Sequence, residues 1–167
     1  MLFARRAAVL RIPAARALCS AADVVTVTIA EAESKTKAAL MKIGWDDEDA
    51  GLQAKIMTAA ELCGNNQGLV KMYNPALMAP SPNTTKPTIE RDGPTSAVVN
   101  ANQSPGMLAA VTAADLAIKK VKENGPIAIV SAYNAGTSSG QLAFYTGRIA
   151  EAGYIGVAMA NSPEWVA

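Results

Sequence analysis

From Pro126 onward the chain alternates apolar runs with hydroxyl- and glycine-rich turns, and this alternation restricts the fold more than any other feature. Pro126 to Tyr133 reads as a buried strand, Ser138 to Ala152 as a helix stopped by Gly153, and Tyr154 to Ala160 as a further strand. Strand, helix and strand at this spacing describe α/β layering. In such layers ligands sit at the strand ends, where the next helix presents unpaired N–H groups to anions and the loops carry polar side chains. Thr137-Ser138-Ser139 is one such turn and Asn161-Ser162-Pro163 is another.

Upstream the signals change. Thr28 followed by Glu31 makes a capping box for a helix running to about Ile43 and ending at Gly44. Asp46, Asp47, Glu48 and Asp49 start a second helix, in which Leu52, Ile56, Ala59, Ala60 and Cys63 recur at helical spacing before Gly64. This acidic group is read as a solvated helix start rather than a metal site, because carboxylates that hold a hard cation converge from a turn or from several elements. A polar turn, Asn65-Asn66-Gln67-Gly68, leads to Leu69-Val70-Lys71-Met72-Tyr73. Prolines 75, 80, 82 and 87 then mark an extended connector. A domain boundary is expected near its end, giving a helical unit over 23–87 and an α+β unit over 88–167. In the second unit Thr88 to Arg91 and Ser96 to Asn100 form a hairpin about Asp92-Gly93. Ser104 caps a helix with Pro105 at its first position, and Asn124-Gly125 stops it. The predicted order there is ββαβαβ.

Residues 1–22 carry Arg5, Arg6, Arg11 and Arg16 and no acidic residue, the composition of a mitochondrial transit peptide. A matrix location is therefore expected. Without those four arginines, 11 basic residues stand against 14 acidic ones, which argues against a nucleic-acid partner. No apolar run is long enough to cross a bilayer. Cys19 lies in the leader, so Cys63 remains alone and forms neither an intrachain disulfide nor a cysteine-based zinc cluster. The 167 residues contain no histidine. Proton transfer must fall to Lys, Asp, Glu, Tyr or water, and histidine triads and histidine-ligated metals are excluded within this chain.

The order of these pieces resembles the malate/L-lactate dehydrogenase family that is distinct from Rossmann-type dehydrogenases. The helix pair is followed by Gly64-Asn65-Asn66-Gln67-Gly68-Leu69, Lys71-Met72-Tyr73 and the proline connector. The Asn102–Gly106 helix start, Lys119–Ile129, Gly140–Tyr145, and Ala152-Gly153-Tyr154-Ile155-Gly156 through Pro163 complete the series. The resemblance covers about Thr26 to Ala167. It implies an α+β fold: a helical domain followed by an α/β layered nucleotide-binding domain without the Rossmann glycine loop. It further implies hydride transfer between NAD or NADP and a small 2-hydroxy or 2-oxo acid, in a homodimer or with a partner chain. Membership also implies that the protein continues past Ala167, so that the C-terminal part of the fold is missing from this sequence.

Two positions depart from the family pattern. Where the family has Arg-Gly-x-x-Ser-His-Gly with a later Arg, this chain has Cys63 for the first Arg, Gln67 for His and Lys71 for the second Arg, with one residue fewer in between. Gln67 can orient a carbonyl but exchanges no proton near neutrality. Lys71 can attract a carboxylate as a point charge rather than a bidentate fork. Where the family has Asn-His-Phe-Gly, Ser138 takes the His place, flanked by Thr137 and Ser139. Asn161 and Ser162 match a cofactor-contacting Asn-Ser-Pro turn.

Gln67, Lys71 and Ser138 are thus the candidate catalytic residues. Thr137, Ser138, Ser139, Asn161 and Ser162 are the candidate cofactor contacts. Beside this stand plainer readings: Asn65, Asn66 and Gln67 as a loop bonding its own backbone, Thr137–Ser139 as a helix cap, and Tyr145 as core. Tyr73 is an alternative proton donor. The competing functional class is a non-catalytic structural subunit that kept the family fold.

Overall fold

A computed structural model describes residues 9–13 and 24–161. Two strands, β1 (Val9–Pro13) and β2 (Val24–Thr28), pair antiparallel with Val9 opposite Thr28. Of the segment read as a transit peptide, β1 alone lies within the described residues.

The two upstream helices form where their caps are written. In α1 (Ile29–Lys42) Thr28 Oγ1 accepts from Glu31 N at 3.1 Å, and in α2 (Asp47–Leu62) Asp46 Oδ1 accepts from Asp49 N at 2.8 Å. Each cap satisfies an N–H that a helix start otherwise leaves orphaned. Leu69–Tyr73 and Pro75–Met78 are short 3-10 helices, so the proline connector is coiled at its start and extended only afterwards. Trp45 pins it: its buried Nε1 donates to Met78 O at 2.6 Å.

The hairpin forms as the sequence indicates, with β3 (Thr88–Asp92) antiparallel to β4 (Ser96–Asn100). Helix α3 (Gly106–Asn124) then crosses to β5 (Ile129–Tyr133), which runs parallel to β4 and completes a sheet of order β3-β4-β5. Helix α4 (Leu142–Glu151) follows. The result is the expected mixture of helices and a small sheet. One buried cluster, including Leu40, Trp45, Ile56, Met57, Met78, Met107, Leu108 and Tyr145, draws residues from both sides of Pro87.

Four expectations are corrected. Helix α3 starts at Gly106, with Pro105 as its cap in an extended conformation (ψ 139°). Ser104 is therefore one residue too early to cap, and its hydroxyl is buried without a partner among the described residues. Helix α4 starts at Leu142 rather than Ser138, because Gly140 adopts φ +71°, a left-handed turn that glycine takes without strain and that interrupts a helix. Strand β5 is not buried: it holds the outer position of the sheet, and Ile129 is 70% exposed. Tyr154 to Ala160 forms no ladder. That stretch lies beside α4, with Gly156 against Ile149, and leaves Ile155, Val157 and Met159 in solvent. Its alternation is strand-like, but alternation makes a strand only where a neighbouring edge completes the hydrogen bonds.

Candidate functional site

Strands β4 and β5 are parallel, so both release their following loops on one side of the sheet, 101–105 and 134–141. Amide side chains lock these loops together. Asn100 Oδ1 accepts from Asn102 N and from Asn134 Nδ2, each at 2.9 Å, and Asn100 Nδ2 donates to Tyr133 Oη at 3.1 Å. Tyr133 in turn donates to Glu90 Oε2 at 2.7 Å, and that bond holds its phenol above the usual range. Gln103 Nε2 donates to Asn134 Oδ1. Asn102, Gln103 and Asn134 all have positive φ, and asparagine tolerates that region better than most residues. Neither Asn100 nor Asn134 is among the candidate site residues named from the sequence. The signal that could have found them is an asparagine at the end of each of two consecutive parallel strands.

The second loop lies against the start of α3. Gly136 N donates to Ser104 O at 2.9 Å, and Gly106 N donates to Thr137 O at 3.1 Å. A Cβ on Gly106 would stand 2.8 Å from Ser139 N, so backbone meets backbone there with no room for a side chain. Tyr145, buried in the core as expected, donates its hydroxyl to Ser139 O, and burial pushes its phenol well up. Thr137 Oγ1 is buried and has no hydrogen-bond partner among the described residues. The cap of α4, Gln141, makes no side-chain bond to the helix. A buried hydroxyl and a helix start without a side-chain cap can both take polar groups of a ligand.

On the facing side, the Asn65–Gly68 turn sits on α2. Glu61 Oε2 accepts from Leu69 N at 2.9 Å and holds the first 3-10 helix to α2. Lys71, on that short helix, donates from Nζ to Ser138 Oγ. Two residues 67 positions apart, chosen from different motifs, are in direct contact. Lys71 is half-buried, and desolvation lowers its ammonium below the ordinary lysine range. It joins no ion pair among the described residues.

The other candidates are placed less closely. Gln67 bonds within its own turn, its backbone N to Asn65 Oδ1 at 2.8 Å and its Nε2 to Asn66 Oδ1 at 3.3 Å. It precedes the 3-10 helix, whose three residues per turn put positions four apart on different faces, so it does not share an α-helical face with Lys71. Ser139 meets Tyr145 and α3 through its backbone. Asn161 is exposed at the end of the described chain, and Ser162 lies outside the described residues. Tyr73 is 88% exposed. Among the described residues no cluster of three or more Cys, Asp or Glu could hold a metal ion, and no helix is long and apolar enough to cross a membrane.

Comparison with known proteins gives the family of the chain. A malate dehydrogenase of Pyrococcus horikoshii is 33% identical over 132 residues, covering 77% of this chain and 36% of the relative. The NAD(+) ureidoglycolate dehydrogenase of Escherichia coli K12 is 29% identical over 131 residues, covering 76% and 37%. The solved P. horikoshii malate dehydrogenase superposes with a TM-score of 0.67 at 28% identity, over 76% of this chain and 37% of that one. The chain thus spans little more than a third of the length of the relatives it matches. The malate/L-lactate dehydrogenase family profile matches residues 27–167, almost everything after the arginine-rich start, and the chain belongs to that family.

Proposed function

We propose that this chain contributes the substrate-facing and nicotinamide-facing loops of an NAD- or NADP-dependent dehydrogenase acting on a small 2-hydroxy acid of the malate or lactate kind. The observation that carries this reading is the Lys71–Ser138 contact, which joins the two turns that the family pattern assigns to chemistry. Lys71, Ser138 and Gln67 meet the reacting end of the acid. Thr137, Ser138 and Ser139, with Asn161 and Ser162, contact the cofactor. The fit is supported by the unpartnered buried hydroxyl of Thr137 and by the start of α4, which has no side-chain cap. A bound nicotinamide supplies the hydride donor or acceptor. The protein's residues hold the acid's carbonyl or hydroxyl beside it and keep that polar contact fixed through the Asn100–Asn134 clasp. The arginine-rich start supports delivery to the mitochondrial matrix, and the exposed apolar face of β5 supports a homodimer or a partner chain.

That exposed face also favours a second reading, in which the chain is a structural, non-catalytic subunit. Titration of the full chain with NADH and NADPH, followed by nicotinamide fluorescence and then by addition of pyruvate or oxaloacetate, separates the two. Saturable binding with turnover is expected. A folded chain that binds neither dinucleotide would favour the structural subunit, or a half-site that another chain completes.

A further inference from the structure

Oxidation of a 2-hydroxy acid releases a hydroxyl proton together with the hydride, and the proton needs an acceptor near neutral pH. Histidine is absent from this chain. The loop 134–141 carries no titratable side chain, only Asn, Ala, Gly, Thr, Ser and Gln. From α2, Glu61 commits a carboxylate oxygen to Leu69 N. From α4, Tyr145 is buried and commits its hydroxyl to Ser139 O. Tyr73, on the same short helix as Lys71, is turned to solvent. At the end of β5, Tyr133 commits its hydroxyl to Glu90. Lys71 is the titratable group that touches Ser138 directly. A lysine held by a carboxylate keeps its proton. This one has no carboxylate partner among the described residues, and its half-buried position disfavours the charged form.

We propose that Ser138 and Lys71 are a proton-transfer pair for the 2-hydroxy acid, with exposed Ser138 taking the substrate's proton and Lys71 relaying it. The role rests on the dehydrogenase reading above. The substrate hydroxyl gives its proton to Ser138 Oγ as Ser138 gives its own proton to the neutral Lys71 Nζ. The hydrogen on the substrate carbon leaves with its electron pair for the nicotinamide dinucleotide, which is the oxidant. The products are the 2-oxo acid, the reduced dinucleotide and the Lys71 ammonium, and reduction runs the same transfers backward. In this role Lys71 is neutral when the hydroxy acid binds, which replaces the carboxylate attraction expected from sequence. Oxidation therefore quickens as pH rises through the Lys71 titration and levels off above it.

Two measurements on the full chain test the pair. Competitive acetylation of all lysines across about pH 6 to 11, read by peptide mass spectrometry, gives each amine its own titration. Lys71 is expected to titrate below the exposed lysines, and Ser138→Ala to move its midpoint alone. A Lys71 that titrates with the exposed lysines and ignores Ser138→Ala overturns the pair, whatever the chain does with dinucleotides. In turnover with NAD and malate or lactate, Lys71→Arg keeps the charge but accepts no proton. It should lower kcat by about 100-fold or more while leaving NADH affinity within about twofold. Small primary amines in solution should restore part of the turnover lost in Lys71→Ala. Full turnover in Lys71→Arg would make Lys71 a charge clamp and end the proposal. A chain that binds no NADH but shows a Lys71 coupled to Ser138 refutes the dehydrogenase reading and the proton-transfer role with it, and leaves only the Lys71–Ser138 contact standing.

Discussion

Two glycines in helices, Gly106 and Gly147, should respond to alanine with opposite signs. Gly147 lies inside α4, and a Cβ added there would meet nothing within 4 Å, so alanine gains helix propensity and restricts the unfolded chain. That gain is about 0.5–1 kcal/mol. Gly106, at the start of α3, would set a Cβ 2.8 Å from Ser139 N, 2.9 Å from Ser139 Cα and 3.0 Å from the Ser138 carbonyl carbon. All three atoms are backbone, so no side chain can swing away, and overpacking of this kind costs about 1–3 kcal/mol. Since the propensity gain offsets less than about 1 kcal/mol, a net loss on the order of 1–2 kcal/mol is expected. In a domain of this size that is about 3–6 °C in Tm. Urea unfolding at constant m measures both variants, and acetylation of Lys71 reports whether the displaced loop has left it. If Gly106→Ala is as stable as wild type, or gains what Gly147→Ala gains, then the close approach of α3 to the Ser138 loop does not exist.

The other expectations concern the core, the caps and the open face. Met107 is fully buried between α2 and the site loop, so Met107→Ala should lose about 2–5 kcal/mol in urea unfolding. Asp46→Ala removes the α2 cap and should lose about 1 kcal/mol by the same measurement, a smaller loss because the cap is exposed. Tyr145→Phe removes the hydroxyl bond to Ser139 O, which should lower stability by about 0.5–1.5 kcal/mol and weaken NADH binding through a looser loop. Sedimentation of the full chain should show concentration-dependent association that Val157→Lys reduces, because Ile155, Val157 and Met159 expose a continuous apolar row. A concentration-independent monomer would count against the dimer or partner chain.

The upstream helices were legible because their signals are local. A Thr or Asp three residues before its N–H partner is a contact within one turn, and sequence displays such contacts directly. The parallel β4–α3–β5 unit was legible for a related reason, since strand and helix periods differ and Asn124-Gly125 marks the change. Burial of β5 and pairing of Tyr154 to Ala160 were not legible, because both depend on what lies across the sheet edge. An apolar run states that a segment can be covered and leaves open what covers it. Glycine punctuation showed the same limit at α4, where the helical pattern runs on through Gly140 and the left-handed turn of that glycine instead sets the start.

The candidate site divides along the same line. Thr137, Ser138 and Ser139 could be named because a hydroxyl-rich turn after a strand is a local pattern, and Lys71 because its distance from the Gln67 turn fits a family spacing. Their meeting could not be named, because it depends on three placements that no window of sequence contains. Glu61 must hold Leu69 N so that the 3-10 helix carrying Lys71 sits against α2. Asn134 must take φ 59° and clasp Asn100 so that β5 turns back over α3. Gly106 must lack a side chain so that the Ser138–Ser139 backbone settles on the helix. None of these three residues is among the candidates for chemistry, yet each fixes where the lysine and the serine stand. Substitutions at Asn100, Asn134 and Gly106 should therefore alter the titration of Lys71 without touching it, whereas Gln67, whose bonds stay within its own turn, should leave that titration unchanged.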